Sequence, residues 1–268
     1  MGYRIQYACI SHIGNCRSVN QDNFICNGQF MELEHVGTEV PMTGQVSSNP
    51  PSVFGIFDGM GGEYCGEVAA YIASECASKI SIGKDAASDL HRFCMDANEK
   101  ICQYAEEHDV PSMGTTAAML AFTGSEILLC NIGDSKIFHL SGAKMVQISK
   151  DHTEIAAYGK KAPLYQNLGI PPSELVIEPY ISRGTYHDGD LYLICSDGLT
   201  DMVTTEEIQA TIEKLPFEEC AEELLKKALE NGGKDNTSII LCKVAQEPNW
   251  IMRIIRDRKQ KKKASAGK

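Results

Sequence analysis

The chain has 268 residues, 43% of them hydrophobic, and a formal net charge of −11. This length suffices for one large domain with a sizeable core. No apolar run approaches the roughly 20 residues that a membrane-spanning helix needs, and the N-terminus shows no basic segment followed by a small-residue cleavage site. We therefore expect a cytoplasmic protein with no membrane span. Because an acidic chain repels nucleic acid, we do not expect nucleic acid as a main partner.

The charge is unevenly distributed along the chain. Residues 253–268 carry eight basic side chains against the single Asp257, so the remainder is strongly acidic. Such a basic run is usually a solvated end, and a membrane-surface or nucleic-acid role is the alternative. We predict a single domain over residues 1–246 and a disordered basic tail over residues 247–268.

The eleven cysteines indicate reduced thiols rather than a disulfide framework. They are odd in number, lie in apolar segments and never occur as C-x-x-C. Without paired Cys and His spacing, a structural zinc site is also excluded.

In chain order, a polar stretch over residues 27–51 predicts a long hairpin or loop. Two stretches with one-sided apolar residues at helical spacing follow, and they predict two helices packed on a sheet. The first stripe is Val68, Ala69, Ile72, Ala73, Cys76, Ala77 and Ile80, and the second is Leu90, Phe93, Cys94, Ala97, Ile101 and Tyr104.

From residue 115 the pattern changes to short apolar runs, TAAMLAF, EILLCNI, KIFHL and KMVQIS, which predict an antiparallel meander. Residues 152–189 contain four prolines and predict an irregular excursion. A second helix pair is predicted over residues 205–215 and 217–230, with Thr204 and Glu207 at capping-box spacing, and TSIILCKV predicts a last strand. Because strands and helix pairs are segregated, the fold class is α+β with antiparallel sheets rather than a doubly wound parallel sheet.

Five aspartates stand at the ends of apolar runs, beside Gly, Ser or Asn. One such Asp is usually a turn former, but five on comparable edges are harder to explain in that way. Carboxylates that share a small volume must either protonate or bind a cation. Since every candidate ligand is an oxygen donor, Mg²⁺ or Mn²⁺ fits better than Zn²⁺. The five are Asp22, Asp58, Asp134, Asp197 and Asp235.

The stretch GIFDGMGG, residues 55–62, indicates either a glycine-rich turn or a metal or phosphate site. Without a Cβ, Gly59 can bring its own carbonyl to a metal, and Gly61 and Gly62 let the chain turn into the first helix. Arg17 suits bidentate capture of phosphate, and an exposed ion pair is the plainer alternative. Metals held by carboxylates beside one arginine predict phosphoryl transfer to water.

Seven short motifs run through nearly the whole chain. In this order they resemble the metal-dependent serine/threonine protein phosphatases of the PPM, or type-2C, family, above all its compact bacterial branch. The motifs are G-x-x-R-x-x-N-Q-D at residues 14–22, FDGMGG at 57–62, MGTTAA at 113–118, NIGDSKI at 131–137, KDHT at 150–153, CSDGLTD at 195–201 and KDNTS at 234–238.

The resemblance implies a fold of two antiparallel sheets packed face to face, with a helix pair outside each and a metal site at one edge. It implies two Mg²⁺ or Mn²⁺ ions bridged by Asp58. The Gly59 carbonyl would complete one ion, and Asp197 and Asp235 would bind the other.

The same resemblance assigns roles to three further residues. Asp22 would hold metal-bound water, Asp134 would help Asp197 to recruit a third, weaker ion, and Arg17 would bind phosphate. The implied reaction is hydrolysis of phosphoserine or phosphothreonine in protein substrates by a metal-bridging hydroxide. The implied enzyme is a monomer that opposes a Ser/Thr kinase.

Three departures from the family pattern bear on mechanism and substrate. Met60 stands where many animal members have a His proposed as general acid, Gln21 stands where others have Glu, and the flap over residues 152–163 is short. Two other functions stay open: a phosphatase for small phosphate esters or nucleotides, and a non-catalytic module that binds phosphoproteins. We predict structural roles for His152 and Cys65.

Overall fold

The structure is a computed structural model that describes residues 2–60, 65–124, 126–142, 144–155 and 162–247. The tail from residue 248 and the predicted turn at Gly61 and Gly62 lie outside the described residues. The strands are β1 (Tyr3–His12), β2 (Asp22–Cys26), β3 (Met42–Ser47), β4 (Ser52–Met60), β5 (Gly114–Thr115), β6 (Ala117–Thr123), β7 (Glu126–Ile132), β8 (Lys136–Ser141), β9 (Lys144–Gln147), β10 (Tyr180–Thr185), β11 (Leu191–Cys195) and β12 (Thr237–Gln246). The helices are α1 (Gly66–Ser78), α2 (Ala86–Glu107), α3 (Asp197–Thr200), α4 (Thr205–Lys214) and α5 (Phe217–Glu230).

The strands form two antiparallel sheets. One has the order β3-β1-β12-β11-β8-β9, and the other has the order β10-β7-β6-β4-β2, with β5 paired to β4. Apolar side chains from the facing sides of both sheets, such as Ile5, Phe54 and Ile240, form the buried layer between them. The prediction of an α+β fold with two antiparallel sheets packed face to face is confirmed.

A helix pair covers the outer face of each sheet. The side chains of α1 and α2 pack on the sheet that contains β4 and β7, and those of α4 and α5 pack on the sheet that contains β12. Both predicted apolar stripes, on α1 and α2, pack in the core between this helix pair and its sheet, although Ile72, Ile80 and Tyr104 are only half-buried. The predicted capping box is present, since the Thr204 hydroxyl accepts from the Glu207 amide and the Glu207 carboxylate accepts from the Thr204 amide.

Two edge strands lie in segments whose strands the sequence did not specify: residues 27–51, predicted as a long hairpin or loop, and residues 152–189, predicted as an irregular excursion. β3 lies within residues 27–51 and pairs with β1, and β10 lies within residues 152–189 and pairs with β7. Both have mostly half-buried or exposed side chains. An edge strand with few buried residues carries little of the apolar alternation by which a strand is recognised in sequence.

No helix in the described ranges is long and apolar enough to cross a membrane. All eleven cysteines are free thiols, and most are buried, as the sequence predicts.

Candidate metal centre and phosphate site

Two of the predicted carboxylates are neighbours on adjacent strands. Asp22 begins β2, and it lies directly opposite Asp58, near the end of β4, in the antiparallel pair. Side chains directly opposite each other in such a pair project from the same face with Cβ atoms about 4.5–5.5 Å apart. Asp22 is 2% exposed. The register therefore places two acidic side chains together at one end of the second sheet.

Three further aspartates flank strands of the first sheet at a common end. Asp134 stands two residues before β8 and Asp197 two residues after β11, and these strands pair with Lys136 opposite Cys195. Asp235 stands two residues before β12, which runs antiparallel to β11. Since adjacent antiparallel strands start and end at the same edge, these three acids share one edge of the sheet.

Hydrogen bonds between the two sheets bring these edges into one site. The Ser196 hydroxyl donates to Asp22 Oδ2 at 2.7 Å and accepts from the Ser238 amide at 2.9 Å. The Gln21 amide donates to Asn236 Oδ1 at 2.8 Å. Ser196 adjoins Asp197, and Asn236 adjoins Asp235, so both connections lie at the predicted metal ligands.

A further connection joins Asp134 to Asp58 through side chains of neighbouring loops. The hydroxyl oxygens of Thr116 and Ser135 are 2.6 Å apart, and Thr116 Oγ1 accepts from the Asp58 amide at 3.1 Å. Our sequence reasoning missed Thr116, Ser135 and Ser196 as positioning residues. Each lies inside one of the seven motifs, which was the available signal.

Gly59 is buried where three backbone segments converge. Its amide donates to the Gln21 carbonyl at 3.0 Å. A Cβ at this position would come within 2.5 Å of the Gly66 carbonyl carbon and would overlap the Gln21 carbonyl oxygen. The absence of a side chain at Gly59 is thus needed for packing of β4 against α1, a reason that the sequence did not reveal.

Arg17 lies at the same edge as the acids. Its Nη2 donates to Asp235 Oδ2 at 2.7 Å, and the Arg17 side chain is 46% exposed. An ion pair this exposed adds little to folding stability, about 0–1 kcal/mol. The exposed guanidinium is therefore available to a phosphate that approaches the acidic edge.

The donors fit a hard divalent metal. Within the described residues, no group of three or more Asp, Glu, His or Cys side chains forms a ready-made metal cage. Mg²⁺ usually keeps several waters and is bound through one or two carboxylates rather than by an all-protein cage. The predicted ligands are carboxylates from both sheets and a glycine carbonyl, with no His or Cys among them. These oxygen donors suit Mg²⁺ or Mn²⁺ and not zinc, which is bound by nitrogen and sulfur ligands.

His152 has a structural role, as predicted. Its Nδ1 accepts from the Gly133 amide at 3.0 Å, and its own amide donates to the Gly133 carbonyl. Burial lowers the pKa of His152, the positive charge of Lys150 adds to this, and the charge of Asp151 opposes it. Asp151 accepts from Lys136 Nζ at 2.6 Å. The neutral ring is thus held as a hydrogen-bond acceptor.

Two thiols that adjoin the site in sequence, Cys195 and Cys65, are held by burial and packing. Burial raises the pKa of Cys195 to about 12, so it is a neutral thiol near pH 7. Cys65 precedes α1 in a left-handed backbone conformation and packs partly buried against the core, which agrees with the predicted packing role.

Comparison with known families identifies the chain. The sequence model of protein phosphatase 2C matches residues 43–236. The chain belongs to the protein phosphatase 2C family. Our assignment by resemblance is confirmed.

Several relatives of this 2C-family chain are bacterial. It is 30% identical over 255 residues to the serine/threonine protein phosphatase PstP of Mycobacterium tuberculosis. The aligned region covers 90% of this chain and 45% of PstP. The chain thus spans about half the length of that relative. It is 28% identical to the serine/threonine phosphatase stp of Listeria innocua, over 69% of this chain and 82% of that protein.

A solved structure shows the same architecture. The catalytic domain of PstP in complex with two manganese ions superimposes with a TM-score of 0.74 at 26% identity, covering 91% of this chain and all of that domain.

Two of the departures predicted from the resemblance concern Gln21 and the flap. The Gln21 side-chain amide donates to Glu67 Oε2 at 3.0 Å, so a carboxylate lies next to the position where the resemblance leads us to expect Glu. In the short flap, residues 156–161 lie outside the described ranges.

Proposed function

We propose that this chain is a metal-dependent protein phosphatase that hydrolyses phosphoserine and phosphothreonine in protein substrates. The observation that carries the proposal is the convergence of five aspartates and Arg17 on one edge of a 2C-type sandwich. The names of the bacterial relatives support protein substrates over small phosphate esters and nucleotides. The full set of acidic side chains also argues against a non-catalytic binding module.

Two Mg²⁺ or Mn²⁺ ions would be held by Asp58, Asp197 and Asp235 with the Gly59 carbonyl, and Asp134 with Asp197 would hold a third. Bound at this edge, such ions lower the pKa of water and neutralise phosphate charge. The two manganese ions in the related PstP domain support this choice.

The protein side chains have separable tasks in the proposed reaction. Asp22, fixed by the Ser196 hydroxyl, would accept a proton or hydrogen bond from attacking water. Arg17 would bind the equatorial phosphate oxygens and stabilise their charge as the ester bond breaks. Met60 has no proton to donate, so the leaving serine or threonine oxygen must take its proton from another group.

The proposed setting is a cytoplasmic monomer that opposes a Ser/Thr kinase. Hydrolysis of phosphoserine and phosphothreonine reverses the reaction of a Ser/Thr kinase, which is the chemical reason to propose an opposing kinase.

Hydrolysis of p-nitrophenyl phosphate and of a phosphothreonine peptide tests the proposal. We expect turnover of both with Mn²⁺ and none with excess EDTA. Asp58→Asn should lose activity, whereas Asp96→Asn, the same change at an exposed position on α2, should retain it. Full activity in EDTA, or an active Asp58→Asn variant, would show that the metal site is assigned wrongly. Faster turnover of nucleotide monophosphates than of the peptide would assign the site to small esters.

A further inference from the structure

A groove of about 530 Å³ adjoins the metal centre. It lies between the C-terminal part of α2, β5 and residues 167–174. Met60, the residue that follows Gly59, lines the groove together with Gly114, which lies opposite Met60 in the β4–β5 pair. A peptide whose phosphorylated residue reaches the metal centre would therefore have a neighbouring segment within reach of the groove.

Hydrogen bonds hold the walls of the groove together. The Asn98 side chain is 3% exposed; its Oδ1 accepts from the amides of Gly169 and Ile170 at 2.7 and 3.1 Å, and its Nδ2 donates to the Ile170 carbonyl at 2.9 Å. Thr115 and Leu168 exchange two backbone hydrogen bonds of 2.9 Å. The loop is thus tied to α2 and β5, and the groove is a preformed feature rather than a surface irregularity.

The groove combines an apolar lining with acidic side chains. Glu106 on α2 and Glu174 in the loop are both exposed lining residues. Burial raises the pKa of Cys102, and the negative charge of Glu174 adds to this effect, so Glu174 in the loop acts on a lining residue of α2. Apolar surface continues next to Glu174, where Leu175 and Val176 are 42% and 65% exposed. Apolar lining residues include Ala105, Val110, Met113, Ile170 and Pro171.

We propose that this groove is a substrate subsite that selects phosphoproteins with an arginine or lysine close to the phosphorylated residue. The aliphatic stem of a long basic side chain would pack on the apolar lining while its charged end reaches Glu106 and Glu174. Selection of this kind suits an acidic enzyme, since a basic residue offsets the repulsion between the phosphate and the surrounding acids. The subsite rests on the proposed function.

Binding of two peptides tests the subsite without requiring turnover. Both peptides carry a non-hydrolysable phosphonate analogue of phosphothreonine, flanked on each side by arginines in one and by glutamates in the other. We expect fluorescence anisotropy to show about fivefold or more tighter binding of the arginine peptide, as two partly exposed ion pairs allow. In Glu106→Gln/Glu174→Gln the ratio should fall to about twofold. p-Nitrophenyl phosphate, which cannot reach the groove, should be hydrolysed at the wild-type rate.

A matched control separates the groove from the overall acidity of the protein. Glu218→Gln/Glu222→Gln removes the same charge from exposed positions on α5, on the other sheet, and should leave the peptide preference unchanged. Equal affinity of the wild type for both peptides, or a preference that stays at the wild-type ratio in Glu106→Gln/Glu174→Gln, would overturn the subsite. A preference that is present without any hydrolysis of phosphothreonine peptides would refute the proposed function and leave the groove as a site that binds basic phosphopeptides without turning them over.

Discussion

Replacing Gly59 by Ala tests the packing on which the proposed metal-binding edge depends. The added Cβ would come within 2.5 Å of the Gly66 carbonyl carbon and would overlap the carbonyl oxygens of Gly66 and Gln21. All of these are backbone atoms, so no side-chain rotation can relieve the clash. Either the start of α1 or the segment before β2 must move, and with it the position of the Gly59 carbonyl.

The expected loss of stability follows from that geometry. Overpacking of a tight interior costs about 1–3 kcal/mol, and a clash with backbone belongs at the upper end. For a chain of this size, about 3 kcal/mol lowers the melting temperature by roughly 6–12 °C. Thermal denaturation in EDTA measures this effect separately from metal binding. Adding Mn²⁺ at about 100 times its Kd should stabilise the wild type by about 2.7 kcal/mol, and Gly59→Ala should show a smaller gain.

Gly184→Ala provides the matched control. A Cβ at Gly184 in β10 would meet only the Ile127 side chain, at 3.7 Å, an ordinary contact. Ala is favoured over Gly within a strand by roughly 0.5–1 kcal/mol, so Gly184→Ala should not lower the melting temperature. A Gly59→Ala variant as stable as the wild type in EDTA, with the full response to Mn²⁺, would refute the packing described here.

Three further substitutions have distinct expected effects. Arg17→Ala should lower kcat/KM for a phosphothreonine peptide about 10–100-fold, through lost phosphate contacts, while the melting temperature changes by less than about 4 °C. Asn98→Ala should lower the free energy of unfolding by about 2–3 kcal/mol and speed amide exchange at Gly169 and Ile170. Burial lowers the pKa of His152 in the folded protein, so below the ordinary His pKa of about 6.5 the unfolded state binds more protons than the folded state. The free energy of unfolding therefore falls as the pH drops below about 6.5. His152→Gln should make that fall smaller, as measured by urea titrations at pH 5 and pH 8.

Each of these expectations has a contradicting outcome. Unchanged kinetics in Arg17→Ala would leave Arg17 as a surface ion pair. Unaltered exchange at Gly169 in Asn98→Ala would show that other contacts hold the loop. A pH dependence as steep in His152→Gln as in the wild type would place the titrating group elsewhere, with His35 as the next residue to test, since burial lowers its pKa too.

Local patterns in the sequence were sufficient to predict most of the elements. The apolar stripe from Leu90 to Ile101 predicted α2 because its period matches that of a helix lying on a core, and the capping box fixed the start of α4 because cap and partner are three residues apart. Strand β10 was missed, and β3 was predicted only as part of a long hairpin or loop. Their stability comes from pairing with one distant neighbour, to which their own side chains contribute little.

The sequence by itself determined the family, through motifs in order, and it predicted the chemistry of the site, with oxygen ligands at strand ends and one arginine. Only the tertiary structure decided how these ligands meet. That Asp22 lies opposite Asp58 is a matter of strand register, and that Ser196 reaches Asp22 depends on how one sheet packs on the other. It also revealed the close packing that requires Gly59 and the groove that begins at Met60. Such relations join residues far apart in the chain, and a local pattern carries no information about distances of that kind.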